Sequence, residues 1–209
     1  EGSDELSFSS SNNGNRQFTA EFQVSYDRYF GDHHVYSTVA YNQRSQIYPF
    51  SGNLTDYIPF RQQNVAGKIT YGYNDKYFAE FTAGYNGSEN FAPANRFGFF
   101  PSIGVGWVIS KEKFFDPLAN IFQYFKIRYS NGIAGAPGTG ARFGFLTLVT
   151  PNARGIAFGA PGGVTSYSGV NISQYGADVR WATAHTQNLG IEFNVLRDKL
   201  SFVVDYFRS

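Results

Sequence analysis

Residues 96–110 read RFGFFPSIGVGWVIS, and every second residue of this stretch from Phe97 to Ile109 is apolar. The residues between them are mostly small, among them Gly104 and Gly106. This period of two indicates a β-strand, because successive side chains of a strand point to opposite faces. Proline and glycine weaken ordinary strands. The pattern therefore predicts a strand with one face against an apolar environment and the other face nearly bare.

The same alternation recurs along the chain and predicts an all-β fold with no helix of ordinary length. In one run, Tyr77, Phe81 and Tyr85 share a face that is opposed by Glu80 and Gly84. We expect about eight antiparallel strands, at roughly 16–30, 33–48, 61–73, 77–86, 97–110, 123–133, 181–196 and 200–208.

The connections between these strands alternate in length. Short turns at 31–32, 74–76 and 197–199 alternate with long loops at roughly 49–60, 86–96 and 134–180. Short turns at one end and long loops at the other are typical of outer-membrane barrels. Tyrosines also cluster near strand ends, where an amphipathic ring suits a membrane interface. The sequence therefore favours an antiparallel transmembrane β-barrel segment over a soluble β-sandwich, which shares the alternation but does not require this asymmetry.

The composition limits the possible functions. Charged residues are 16% of the 209 residues, and 17 Lys and Arg nearly balance 16 Asp and Glu. No charge block is present that would attract nucleic acid, so we expect no nucleic-acid partner. The absence of cysteine excludes disulfides and thiolate metal sites.

Two motifs suggest site chemistry and are better explained without it. Residues 135–142, GAPGTGAR, resemble a phosphate-binding loop, but Ala141 and Arg142 stand where that loop needs Lys and Ser/Thr. His33 and His34 are adjacent on a predicted strand, so their side chains point to opposite faces and do not readily hold one metal ion. No nucleophile–base arrangement stands out either. We therefore expect no enzyme activity, no cofactor and no metal.

Charged residues on the polar faces of the strands are best interpreted as the wall of a wet lumen. The lumen-facing candidates are Lys68, Glu80, Lys126, Arg128 and Glu192. Aromatic side chains on long loops can stack on sugars or peptides. The candidates for substrate binding on the loops are Tyr48, Tyr57, Tyr175 and Trp181.

Several short motifs occur together between residues 73 and 206. They are YNDKY at 73–77, NGSENF at 86–91, RFGFFPSIGVGW at 96–107, FKIRYSNG at 125–132, NLGIE at 188–192 and LSFVVDY at 200–206. In combination they resemble the SusC/RagA family of TonB-dependent outer-membrane transporters of Bacteroidota. Asn86 and Glu89 depart from the family's usual loop, and Ala182 replaces the usual acidic neighbour of Trp181.

The resemblance implies a barrel of the 22-strand class that is plugged by its own amino-terminal domain. It implies import of glycans or peptides across the outer membrane, driven by TonB–ExbB–ExbD, with a SusD-like lipoprotein as lid. About eight strands do not close such a barrel, and no plug domain is recognisable. We therefore expect this chain to be a fragment of the barrel wall, bounded by outer-membrane lipid.

Two other interpretations remain open at this point. The chain could belong to a non-transport barrel that acts as a scaffold or adhesin in an envelope complex. It could also be a soluble β-rich glycan-binding module, in which case residues 97, 99, 103, 105 and 107 should meet a protein core.

Overall fold

A computed structural model describes residues 11–50, 54–137, 142–159, 163 and 165–209. The described residues form ten β-strands, which are β1 Arg16–Phe30, β2 His33–Ile47, β3 Phe60–Tyr73, β4 Tyr77–Ser88, β5 Phe97–Val108, β6 Phe122–Ala136, β7 Leu148–Phe158, β8 Thr165–Gln174, β9 Ala182–Val195 and β10 Leu200–Arg208. The helical segments are short: α1 Leu54–Tyr57 and three 3₁₀ turns at Pro93–Asn95, Ile109–Lys111 and Lys113–Leu118. None of these described helices is long and apolar enough to cross a membrane.

Eight strands form one antiparallel sheet in the order β1-β2-β3-β4-β5-β6-β9-β10. Each strand pairs with its neighbour along the chain, except that β6 pairs with β9. This arrangement confirms the predicted all-β fold of about eight antiparallel strands.

The remaining strands, β7 and β8, form a separate two-stranded hairpin within the segment 134–180. That segment was expected to be a single long loop, so the expectation was wrong for this part. The register of the hairpin shifts around Pro151 and Ala153. A strand interrupted in this way loses its period of two in the sequence, which is why the pattern did not reveal it.

The tight turns lie together at one end of the sheet, which we call the turn end. Gly31 has a φ of 59°, and Asn74 and Asp75 have φ values of 51° and 50°. Glycine and, to a lesser degree, Asn and Asp tolerate this left-handed region. The described parts of the next connections, 48–50, 54–59 and 89–96, lie at the opposite end, which we call the loop end.

The register joins the apolar side chains of all eight sheet strands into one continuous apolar face. Directly paired residues of neighbouring strands share a face. One row runs Phe22–Tyr41–Val65–Tyr85–Phe99 through β1 to β5. A second row runs Val105–Tyr129–Leu189–Tyr206 through β5, β6, β9 and β10.

This apolar face is not covered by a second layer of the described chain. At the centre of β5, Phe99, Ile103 and Val105 are 58%, 54% and 50% exposed. The buried apolar side chains among the described residues are Phe91, Phe100, Val108, Phe115 and Phe143. A soluble module would place the β5 face against a protein core, which the described residues of this chain do not provide.

Aromatic rings form a band across the apolar face at the turn end. The rings of Tyr73 and Tyr77 lie 6.4 Å apart, and those of Tyr77 and Trp107 lie 6.3 Å apart. Further along the sheet, Phe193 stacks on Phe202 with 5.0 Å between ring centres. Tyr and Trp prefer the boundary between hydrocarbon and water, and barrels carry such girdles at the membrane interfaces.

Candidate functional site

The face opposite the apolar face is polar and carries all five lumen-facing candidates. Lys68 pairs with Thr82, and Glu80 pairs with Gly104, so both lie on this polar face. Lys126, Arg128 and Glu192 lie on the same face of β6 and β9, because Lys126 is directly opposite Glu192. The structure therefore brings the candidates onto one surface, which extends over β3 to β9.

At the β3–β4 side of this surface, Lys68 and Glu80 form an ion pair. The Lys68 Nζ lies 2.7 Å from the Glu80 Oε2, and both side chains are about two-fifths exposed. The Thr70 hydroxyl donates a further hydrogen bond to the same oxygen at 3.3 Å. Exposed pairs of this kind add little stability, about 0–1 kcal/mol, so their main effect is to fix a mixed charge pattern on the surface.

Arg128 ties three strands together on the β6–β10 side. Its Nε lies 2.8 Å from the Glu192 Oε1, and its Nη2 donates to both carboxylate oxygens of Asp205, at 2.8 and 2.9 Å. The side chain crosses Gly190 of β9, where a Cβ atom would lie 2.6 Å from the Arg128 Nε. Gly190 is therefore needed for this contact. The sequence predicts the strands of Arg128 and Asp205 but not this contact, because the alternation within a strand does not reveal that β6 pairs with β9.

Lys126 leaves β6 in the opposite direction, towards β4. Its Nζ lies 5.5 Å from the centre of the Phe78 ring, a cation–π distance. To reach that ring it crosses Gly106 of β5, where a Cβ atom would lie 3.4 Å from the Lys126 Cε. The bare face of the opening stretch is thus used by the side chains of the neighbouring strands.

A shallow groove lies on the polar face between the Lys126 side chain, which extends towards β4, and the Arg128 side chain, which extends towards β10. It is lined by Glu80, Gly104, Lys126, Arg128, Ser130 and Asn188 among others. Its floor at Gly104 is open, because a Cβ atom there would make only ordinary contacts at 3.8–3.9 Å. The groove therefore presents both signs of charge and hydrogen-bonding groups, which suit a polar solute.

The loop-end candidates differ in how much of each ring is available. Tyr48, Tyr57 and Tyr175 are 37%, 51% and 74% exposed. Trp181, in contrast, lies against Phe91 and Phe100, with ring centres 4.9 and 5.4 Å away. Trp181 is therefore a packing residue of the loop end in this structure, a role that its loop position in the sequence did not indicate.

Around this aromatic cluster, side chains connect the described loops into one unit, which we call the loop platform (residues 54–60, 86–96, 142–147 and 174–181). The Arg142 Nη1 donates to Asp56 at 3.3 Å, and the guanidinium lies over the Phe143 ring at 5.0 Å. The Asn95 side chain donates to Asp178 at 2.6 Å. Tyr57 and Tyr175 are thus carried by parts of one connected platform.

The features considered for metal and phosphate have other partners. The His33 Nδ1 lies 2.7 Å from the Tyr71 hydroxyl, and the His34 Nε2 lies 2.7 Å from the Asp27 carboxylate, on the opposite face. Among the described residues, no group of three or more His, Cys, Asp or Glu could hold a metal ion. Residues 138–141 of the glycine-rich run lie outside the described residues.

Glu112 holds the turn end together. It accepts a hydrogen bond from the Tyr77 hydroxyl at 2.6 Å and one from the Trp107 indole at 3.4 Å, and its other oxygen lies 3.4 Å from the Lys76 Nζ. The hydrogen bond from Tyr77, aided by Trp107 and Lys76, holds the pKa of Glu112 below its ordinary value of 4.5, although burial opposes this shift. The carboxylate thus joins the β3–β4 turn to the end of β5.

Replacing Glu112 by Gln should make the protein less heat-resistant at neutral pH, by roughly 1–2 °C. A carboxylate with a lowered folded-state pKa stabilises the fold above its ordinary pKa, and this contribution is lost as the pH falls through the lowered pKa. The wild-type unfolding temperature should therefore converge with that of E112Q as the pH drops below about 4. The control is Asp75→Asn. It removes another carboxylate at the turn end, which lies 3.6 Å from the Lys111 Nζ. If the unfolding temperatures of wild type and E112Q still differ by the same amount in acid, the stabilising role assigned to the Glu112 carboxylate is wrong.

Comparison with known proteins identifies relatives of the chain, although no family model matches it. The chain is 32% identical over 144 residues to the TonB-dependent receptor SusC of Bacteroides thetaiotaomicron, covering 68% of this chain and 14% of SusC. It is 30% identical over 150 residues to the TonB-dependent receptor P3 of Formosa agariphila, covering 69% of this chain and 14% of that receptor. The chain thus spans only about a seventh of the length of these relatives.

Solved structures provide the matching fold. A chain of the RagAB peptide transporter superposes with a TM-score of 0.68 at 17% identity, covering 92% of this chain and 23% of that one. In the 'open-open' state of the RagAB peptide importer the TM-score is 0.63 at 19% identity, with 92% and 22% covered. At these identities the likeness establishes the fold alone.

Proposed function

This chain belongs to the SusC/RagA family of TonB-dependent receptors, and on that premise we propose that it forms part of the wall of an outer-membrane nutrient importer. The observation that carries the proposal is the two-faced sheet. One face is apolar across eight strands and is not covered by the described residues, and the other carries paired charges around an open groove. A wall between lipid and a wet interior suits both faces at once.

In this proposal the sheet belongs to a barrel of the 22-strand class, closed by parts of the protein beyond this chain. The apolar face contacts outer-membrane lipid, and the polar face lines the lumen. Lys68, Glu80, Lys126, Arg128 and Glu192 then face the solute path. Their mixed charges keep the path wet without favouring one sign of charge, which suits glycans or peptides.

The exposed loop-end tyrosines are the proposed first contacts for the solute. Tyr48, Tyr57 and Tyr175 offer ring faces on which a sugar or a peptide side chain can stack. Trp181 supports them indirectly by holding the loop platform. The proposed partners are a SusD-like lipoprotein lid at the loop end and TonB–ExbB–ExbD, which would act through a plug outside this chain.

Growth of a deletion strain tests the proposal. The gene for the full-length protein is deleted in its host, and the strain is grown on single glycans and on peptide mixtures as sole carbon source. Growth on one of these nutrients should fail in the deletion strain and in a strain lacking TonB, and the wild-type gene should restore it in the first strain. If the deletion strain grows like wild type on every nutrient, although the wild-type strain carries the protein in its outer membrane, a scaffold or adhesin is favoured instead.

A further inference from the structure

A small polar pocket interrupts the apolar face at the loop end of β2 to β5. It is lined by Gln43, Arg61, Gln63, Glu89, Arg96 and Phe97 among others and encloses about 180 Å³. Gln43, Arg61 and Gln63 of the lining lie on the apolar face of the sheet, because Gln43 pairs with Gln63 and Ser45 pairs with Arg61. Its charged and amide groups lie together at the edge of the apolar surface, so the pocket can hold a polar ligand.

The charges of the pocket favour an anion. The Nε of Arg96 is buried and has no hydrogen-bond partner among the described residues. Arg61 has a loose pair, with 3.6 Å between its Nη1 and the Glu89 Oε1, and its side chain is 58% exposed. Two guanidinium groups against one carboxylate leave a net positive charge. A buried donor without a partner is costly, and an oxygen-rich anion would satisfy it.

The backbone holds these groups in place. The Ser88 amide donates to the Arg96 carbonyl at 3.1 Å, and the Glu89 amide donates to the Arg61 carbonyl at 3.1 Å. These two bonds fix the chain around the pocket on both sides of the β4 end. The two arginines therefore start from defined positions, which lowers the ordering cost of binding a shared ligand.

Directly towards the turn end, the pocket meets exposed aromatic and apolar surface. The rings of Tyr85 and Phe97 stack with 5.1 Å between centres, and the Phe97 ring covers Gly87, where a Cβ atom would lie 2.4 Å from it. Phe99 and Val65 continue this surface along the sheet. A ligand with an anionic head in the pocket could therefore lay an apolar chain along the adjoining face.

We propose that this pocket, formed by Arg61 and Arg96, binds the phosphate-bearing headgroup of a lipid in the external leaflet. Guanidinium groups bind phosphate oxygens in a bidentate geometry, which a neutral sugar lipid does not offer. A phosphate also presents three acceptor oxygens, so it can serve both guanidinium groups at once. The volume has room for several waters at roughly 30 Å³ each, so a hydrated phosphate fits. This inference rests on the proposed location of the chain in the outer membrane.

Lipid retention by the full-length protein tests the inference. The protein is purified in detergent, and the bound lipids are counted by native mass spectrometry after addition of a bisphosphorylated glycolipid, phosphatidylglycerol or an unphosphorylated galactolipid. The double variant Arg61→Gln/Arg96→Gln should bind the phosphorylated lipids at least about tenfold more weakly than wild type. The galactolipid should not distinguish the two proteins.

A matched control lies at the same height on the other face. Arg44 pairs with Gln62 in the register and donates to Gln17 and Gln46 at 2.9 and 3.0 Å, on the polar face. Arg44→Gln removes one positive charge from the other face and should retain phosphorylated lipid like wild type. A second variant, Arg61→Lys/Arg96→Lys, keeps the charge but loses the fork, and should bind between wild type and the Gln double variant. Each variant is compared only in its folded form. That form is recognised by a change in its migration on a denaturing gel when the sample is heated.

The outcomes separate this inference from the proposed function. Equal retention by wild type and the Gln double variant, in a protein that needs detergent, would overturn the lipid site alone. Equal loss in Arg44→Gln would also overturn it, by showing a general charge effect. Displacement of the lipid by millimolar inorganic phosphate would assign the pocket to a soluble anion instead. A full-length protein that stays soluble without detergent and retains no lipid would overturn the proposed function together with this site.

Discussion

Replacing Ile103 by lysine should destabilise the folded protein by about 2–4 kcal/mol, the cost measured for a lysine facing lipid at the bilayer midplane. Ile103 lies at the middle of β5 and is 54% exposed on the apolar face. Its direct neighbours are Phe81 on β4 and Asn131 on β6. No carboxylate of the apolar face is paired directly with it, so the new charge would lie unpaired in hydrocarbon. The measurement is the urea concentration at which the folded, heat-modifiable form of the full-length protein is lost.

The preceding residue provides the control. Ser102 lies on the polar face between Thr82 and Gly132, so a lysine there can extend into the wet interior. Ser102→Lys should cost clearly less than Ile103→Lys, although the two substitutions are one residue apart. If the two variants unfold at the same urea concentration, the faces of the sheet are not in the different environments that the proposal assigns to them.

Truncating Trp181 to alanine should open the loop platform. Removing a large aromatic side chain from a packed cluster typically costs about 3–5 kcal/mol. The Trp181 ring lies between Phe91, which is 1% exposed, and Phe100, which is 9% exposed. Because the cluster joins separate loops, we expect local opening and not loss of the sheet. Limited proteolysis in the loop platform should become at least about tenfold faster, as a local loss of more than 1.4 kcal/mol implies.

Two further variants separate packing from ligand contact. Phe91→Ala should give the same increase in proteolysis, because Phe91 is the other half of the cluster. Tyr175→Ala removes an aromatic ring that is 74% exposed and should leave proteolysis unchanged. If Trp181→Ala leaves the loops as resistant as wild type while it weakens solute binding, then Trp181 acts as a ligand-contact residue and the packing role is wrong.

The fold class was predictable because apolar and polar residues alternate along each strand, and this alternation places the apolar residues on one face. In β5 the apolar residues fall at every odd position, and the structure places these positions on one face. The five charged lumen candidates lie together on the other face for the same reason, since a period of two needs no knowledge of the partner strands. Their assignment to a lumen remains a prediction.

What the sequence did not predict depends on contacts between distant parts of the chain. Gly98 provides an example, because a Cβ atom there would lie 2.5 Å from the Phe100 ring and 3.2 Å from Trp181. Arg128 reaches Asp205 only because β9 inserts between their strands and carries Gly190 at the crossing. The β7–β8 hairpin was missed because its register shifts break the alternation. The contacts of Trp181 and Arg128 thus join parts of the chain that lie far apart in the sequence, whereas the hairpin is local and was hidden by its irregular register.

Quenching by lipid along β5 tests whether the apolar face of the sheet contacts the bilayer and the polar face does not. The chain contains no cysteine, so single cysteines can be introduced at residues 102, 103, 104 and 105 of the full-length protein in a cysteine-free background. Each is labelled with a bimane fluorophore, and the protein is reconstituted in bilayers with and without brominated lipid. We expect strong quenching at residues 103 and 105, which lie on the apolar face, and little at residues 102 and 104, which lie on the polar face. Equal quenching at all four positions, or stronger quenching at 102 and 104, would contradict it.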